Sequence, residues 1–232
     1  MWYSFSRAGA FHHSLEVHNQ DRVFSHTLGD LTCIALADGA GAESCSGRGA
    51  ELACRTAGLQ LLCSFERLYT APSEAWIRHE LVSAVHRELR IYSTQCPDLD
   101  GEDRLASTLI ALCVNRSDGR YICLHTGDGL AACTDGKDIR TISFPSNGIS
   151  PQFTTLTVSD ECWEKTQVHR GCRPDASFFL MSDGCTIYAW DGVRFRTTAF
   201  RLLRARDWEG FQQYLERKHP TDDYSFIAAD GW

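Results

Sequence analysis

The chain has 232 residues, 43% of them hydrophobic, which is enough for one large domain with a sizeable core. Its formal net charge is -7, with no long acidic run, which excludes nucleic acid or an anionic membrane surface as the main partner. No apolar stretch nears the roughly 20 residues that a membrane span needs, and residues 1–13 lack a basic segment leading into an apolar one.

In chain order, residues 2–6 alternate loosely as a first strand, and 22–28 and 31–37 form a hairpin across Gly29-Asp30. Two helices are expected next. Residues 47–66 are rich in Ala and Leu, and 73–92 opens on Pro72-Ser73-Glu74 with Ile77, Leu81, Val85, Leu89 and Tyr92 on one face, a stripe that suits packing on a sheet. After an acidic loop at 96–104 come strands at 106–114, 120–126 and 129–134. The segment 135–176 reads as loop-rich, with strands near 153–158 and 166–170; then follow a strand at 177–182, a helix at 207–218 and a last strand at 224–229. This order suggests an α+β antiparallel sandwich with helices on its outer faces. No repeat or linker divides the chain, so 1–232 is read as one domain.

Eleven cysteines are present, several inside apolar runs (Cys33, Cys113, Cys123), and none form a C-x-x-C pair or a zinc-spaced cluster. With no export signal, they are expected as reduced thiols in a cytoplasmic protein.

Asp-Gly is a common turn dipeptide, and Asp118-Gly119, Asp135-Gly136 and Asp191-Gly192 are assigned to turns. Asp38-Gly39, Asp128-Gly129 and Asp183-Gly184 differ because each follows a strongly hydrophobic strand. Acids at several strand ends can converge on a divalent cation, and hard cations such as Mg²⁺ and Mn²⁺ take oxygen ligands.

Six runs in order resemble the metal-dependent type 2C protein phosphatases, in particular their compact bacterial branch. They are Asn-Gln-Asp at 19–21, Ala-Asp-Gly-Ala-Gly at 37–41, Ala-Ser-Thr at 106–108, Thr-Gly-Asp-Gly at 126–129, Met-Ser-Asp-Gly at 181–184 and Asp-Asp-Tyr-Ser at 222–225. The resemblance covers nearly the whole chain and implies a four-layer αββα sandwich of two antiparallel sheets flanked by helices. It further implies a serine/threonine phosphatase with two Mn²⁺ or Mg²⁺ ions at one end of the sheets. In that reading Asp38 bridges the ions, the Gly39 carbonyl binds one, Asp183 and Asp222 are the other carboxylate ligands, and Asp21 acts directly or through water. Asp128 matches a residue that helps to hold a third ion, while Gln20 and Asp223 lie behind the ligands. A phosphorylated protein substrate and a cognate Ser/Thr kinase are the implied partners. Two ions sharing a carboxylate suit phosphate monoester hydrolysis, since they acidify water and neutralise phosphoryl charge.

The chain departs from the family pattern at several positions. Ala40 stands where many eukaryotic members have His, Glu16 where the family often has a phosphate-binding Arg, and Ile187 where a further third-ion Asp is frequent. His18 or water would then protonate the leaving group, while His12, His13 and His26 are read as surface or packing residues and Arg22 and Arg48 as solvated. The short 128–183 segment predicts an open site. Two other functions share these features: a catalytically silent module that binds a phosphorylated partner, and a phosphatase for small phosphoesters. Retention of Asp38, Gly39, Asp183 and Asp222 favours the protein phosphatase.

Overall fold

The structure is a computed structural model that describes residues 2–14, 18–40, 45–96, 99–146 and 154–230. Two five-stranded antiparallel sheets form its centre. One contains, in spatial order, β1 (Trp2–Arg7), β10 (Tyr224–Ala229), β9 (Ser177–Met181), β6 (Leu130–Thr134) and β7 (Ile139–Ser143). The other runs β2 (Arg22–Leu28), β3 (Leu31–Ala37), β4 (Leu109–Asn115), β5 (Arg120–Thr126) and β8 (Gln167–Cys172).

The near-continuous apolar runs of these strands follow from burial on both faces. In β3, Ile34 and Leu36 point between the sheets, whereas Cys33, Ala35 and Ala37 point at the helices; β4 repeats the pattern with Ile110, Leu112 and Val114 against Leu109, Ala111 and Cys113. The small side chains sit on the helix side. They let α2 (Ser46–Tyr69) lie close to the sheet through Ala50, Ala53, Ala57 and Gly58, and a β-carbon on Gly58 would meet the Phe24 ring at 2.5 Å. Helix α3 (Glu74–Gln95) packs beside it, its first turn capped by Ser73, whose hydroxyl accepts from Trp76 N at 3.2 Å, a cap worth about 1 kcal/mol.

On the outer face of the other sheet, Phe179, Met181, Phe226 and Ala228 meet α5 (Asp183–Ala189), α6 (Thr197–Arg204) and α7 (Trp208–Glu216). The rings of Phe179, Trp208 and Phe211 all gather on Phe226 within 6 Å. The layers are therefore helix, sheet, sheet, helix, as the sequence implied.

The structure corrects several local readings. No strand forms over 154–158, although its threonines are β-prone. Its one ladder-like contact is Thr157 N to Ser107 O at 2.8 Å, and β8 already occupies the edge of the sheet beyond β5. Phe153 lies outside the described residues. Five elements were not anticipated: α1 (Ala10–Ser14), edge strand β7, the short α4 (Cys162–Lys165) that precedes β8, and helices α5 and α6. All eleven cysteines stand as free thiols. Among the described residues, no helix is long and apolar enough to cross a membrane.

Candidate active site

Strand register gathers the acidic motifs at one end of both sheets. Ala37, the last residue of β3, pairs with Arg22, the first of β2; Leu36 pairs with Ile110 and Leu109 with Thr126. In the other sheet Met181, which ends β9, pairs with both Leu130 and Phe226. Asp38, Asp21, Asp128 and Asp183, each a residue or two beyond these positions, and Asp222, two before the start of β10, therefore emerge at the same rim.

Local hydrogen bonds explain why each run has its composition. Asp38 N donates to Thr108 Oγ1 at 2.9 Å, and Thr108 N donates back to the Asp38 carbonyl at 2.8 Å, so Ala-Ser-Thr braces Ala-Asp-Gly. Asn19 Oδ1 accepts from Asp21 N at 2.8 Å, folding Asn-Gln-Asp into an Asx turn. Ser182 Oγ accepts from Ser225 N at 2.9 Å, tying Met-Ser-Asp-Gly to Asp-Asp-Tyr-Ser. The 222–223 loop is held between two glycines. A β-carbon on Gly9 would lie 2.2 Å from Asp222 C, and one on Gly184 would lie 2.1 Å from Asp223 O.

The carboxylates act on one another. Burial, then the charges of Asp21 and Asp183, hold the Asp38 carboxyl well above the usual carboxylate range. Asp183 is pushed up to about 7 by burial and by the charges of Asp128, Asp222 and Asp21. Asp21 is only 1% exposed and is pushed up to about 6, mainly by burial. Asp128 is also raised, chiefly by burial, while Thr154 Oγ1 donates to its carboxylate at 2.6 Å. Asp222 is exposed.

Asp38, Gly39, Thr108, Asp128 and Asp222 line one cavity of about 520 Å³, together with Phe11, His12 and Leu156. Asp128 also lines a neighbouring cavity of about 420 Å³, shared with Asp183, Phe144, Ile187 and Trp190. Of the predicted residues, Asp38, Gly39, Asp128, Asp183 and Asp222 thus face two adjoining hollows, and Asp21 is buried behind them. Both carboxylate oxygens of Asp21 are buried, with the hydroxyls of Ser182 and Ser225 and the Asp38 carboxyl beside them but none in good hydrogen-bond geometry. That is a costly state for a carboxylate, and a cation would relieve it. Apart from His12, the donor set around the hollows is oxygen, which fits a hard divalent cation. Among the described residues no three His, Cys, Asp or Glu side chains already stand as a ligand cluster, so the fit rests on donor type and shared charge.

Asp223 has a different place. It is 1% exposed; its Oδ1 accepts from Gly9 N at 2.9 Å and its Oδ2 from Gln20 N at 2.7 Å, while its own N–H donates to Asp222 Oδ1 at 2.9 Å. It also faces His12, whose Nδ1 lies 2.8 Å from Asp223 Oδ1, at ion-pair distance though off the line of a straight hydrogen bond. His12 is 7% exposed and lines the larger cavity, so of the two roles read for it the surface one does not hold. No local pattern marks it, because its partner is at the far end of the chain.

The remaining candidates sit elsewhere. Arg22 Nη1 donates to the carbonyls of Asn19 and Asp21, both at 2.8 Å, and Arg48 pairs with Glu51 beside the Tyr92 ring; neither lines the cavity. His18 and His26 are exposed. Asp118, Asp135 and Asp191 accept backbone N–H groups within their own turns, as the sequence suggested. Glu16 and Gly41 lie outside the described residues.

A sequence model of the family described as Protein phosphatase 2C matches residues 8–223. No curated protein sequence matches the chain. A bacterial serine phosphatase superposes with a TM-score of 0.73 at 16% identity, covering 99% of this chain and 96% of that one. The serine/threonine phosphatase Stp1 from Staphylococcus aureus gives 0.68 at 18% identity, covering 99% and 94%. RsbX in complex with magnesium gives 0.59 at 12% identity, covering 98% and 92%. At such identities the likeness to these structures is one of fold.

Proposed function

The chain belongs to the protein phosphatase 2C family, a family of phosphoprotein phosphatases, and from that premise we propose that it hydrolyses phosphoserine and phosphothreonine esters of proteins with two Mn²⁺ or Mg²⁺ ions. The observation that carries the reading is the crowding of Asp21, Asp38, Asp128, Asp183 and Asp222 at one rim, where the charges of Asp21, Asp183 and Asp222 raise the proton affinity of Asp38 and those of Asp128, Asp222 and Asp21 raise that of Asp183. Acids held so close, with a single histidine among them, are matched by cations.

In this reading Asp38 and the Gly39 carbonyl, with Asp183 and Asp222, hold the ions. Asp21, buried beneath Asp38, would join the ligands or orient a water beside them, and Asp128 would help to hold a third ion. The position expected to supply another acid for that third ion is Ile187, 51% exposed, so Asp128 stands alone there. Gln20 and Asp223 brace the ligands through the backbone. The ions, when held, neutralise charge on the phosphoryl oxygens and acidify water for in-line attack. Thr108 fixes the Asp38 backbone, and the pairing of Ser182 with Ser225 fixes Asp183 relative to Asp222. RsbX, similar in fold, was obtained with magnesium, which supports a hard divalent cation here. The proposed setting is the cytoplasm of a bacterium, with a Ser/Thr kinase as the opposing activity.

Isothermal titration of the metal-stripped protein with Mn²⁺ should find two ions per chain. Turnover should then favour a phosphothreonine peptide over a small aryl phosphate. Equal kcat/KM for the two esters would shift the assignment to a small-phosphoester phosphatase. Metal binding without release from either would point to a silent binding module.

A further inference from the structure

Resting on the phosphatase reading, we propose that His12, held by Asp223, is the proton donor to the leaving alkoxide of the phosphorylated residue. Ala40, which follows Asp38-Gly39, has no proton to give. Of the two hydroxyls lining the cavity, Thr154 Oγ1 already donates to Asp128, and Thr108 Oγ1, which accepts from Asp38 N, is an alcohol no more acidic than the serine or threonine that leaves. Among the described residues lining that cavity, His12 is the one basic side chain, set among Asp38, Asp128 and Asp222.

The backbone fixes His12 to the loop that carries Asp222. Ala10 N donates to Pro220 O and Phe11 N to Thr221 O, both at 2.9 Å, while Gly9 N donates to Asp223 Oδ1. Gly9 has no side chain to keep the two segments apart. The Asp223 carboxylate cannot swing away, because each of its oxygens also takes a backbone N–H. With Nδ1 turned toward Asp223, Nε2 is the ring nitrogen left for the cavity. A histidine oriented by a buried carboxylate at one nitrogen and facing a substrate cavity with the other is placed for proton transfer.

The step balances simply. Water oxygen bonds to phosphorus, and the ester P–O bond breaks with its electron pair going to the serine or threonine oxygen. That oxygen takes the proton from His12 Nε2. The attacking water loses a proton to solvent, and the ring regains one from solvent, so ester and water become alcohol and phosphate.

A proton donor matters most for poor leaving groups, and this gives the test a readout that a packing role would not move. With Mn²⁺ present, His12→Gln should lower kcat for a phosphothreonine peptide about 10²-fold. Its loss on p-nitrophenyl phosphate should be at least about tenfold smaller, because nitrophenolate departs without a proton. Across a series of aryl phosphates the dependence of log kcat on leaving-group pKa should steepen. Asp223→Asn should show the same selective loss in weaker form, since it keeps an acceptor oxygen but loses the charge that orients the ring. Circular dichroism and the remaining aryl phosphate turnover report whether each variant has folded. Equal losses on both substrates, or none, would overturn the assignment of His12 while leaving the phosphatase reading intact. A wild-type protein that turns over neither ester with Mn²⁺ would overturn both.

Discussion

Asp38 carries the largest electrostatic burden of the site: it is pushed upward by burial and by the charges of Asp21, Asp183 and Asp222. On the proposed reading, replacing it removes the shared ligand and also relieves the crowding. Asp38→Ala should therefore reduce phosphate release to the level seen in EDTA, while its melting temperature in EDTA stays equal to or above that of the wild type. Asp118 is the control, because it accepts from Arg120 in an exposed turn, where an ion pair is worth about 0–1 kcal/mol. Asp118→Ala should keep wild-type turnover. The residues that the sequence made legible at this scale were those whose neighbours declare them. A carboxylate directly after a strand such as LTCIALA can be read locally. His12 could not be read this way: its segment is joined to Asp223 across 214 residues, measured at Gly9, and nothing beside it in sequence distinguishes it from His13 or His18.

At the scale of elements, the strands of the two central layers were legible because burial on both faces leaves them almost wholly apolar. The edge strand β7 was not, since IRTIS carries only two apolar residues and its first three positions are exposed or partly so. Helix α5 escaped because it starts on the Met-Ser-Asp-Gly run itself, with Ser182 as N-cap and only seven residues to show a period. The strand expected over 153–158 shows the converse: the β-prone threonines of its described part, 154–158, do not make a strand where the segment does not run along a sheet edge. The edges of the two sheets are tied by a buried polar link. Ser143 Oγ of β7 donates to Gln167 Oε1 of β8 at 2.9 Å, so His125 Nδ1 of β5, 2.7 Å away, must be the donor to Ser143. The ring is then neutral, and burial, then His169, lowers His125 to about 3. A base with a depressed folded-state pKa contributes stability above its unfolded value of about 6.5, and that contribution is lost as the pH falls toward 3. His125→Gln should accordingly reduce the drop in unfolding free energy between pH 7 and pH 4.5 by about 2 kcal/mol, measured by urea titration at each pH. An unchanged drop would mean that His125 is not the group that protonates.

For the whole molecule, the joining of the two chain ends matters most. Strand β1 pairs with β10 from Trp2↔Ala229 to Arg7↔Tyr224, which brings the first and last acidic motifs to the same rim. The layer order could be anticipated from the six runs together. The meeting of α1 with the 220–223 loop could not, because it depends on that long-range pairing. The assembled rim is strained by like charge without a cation, so metal should stabilise the whole fold. At 100 times its Kd, Mn²⁺ should add about 2.7 kcal/mol and raise the melting temperature by several degrees, an increment that EDTA reverses. The most direct test of the account is phosphate release from a phosphothreonine peptide, with Mn²⁺ and with EDTA, for the wild type beside Asp183→Ala. Release that requires Mn²⁺ and disappears in the variant is the predicted result. Release that persists in EDTA, or survives unchanged in Asp183→Ala, would contradict it.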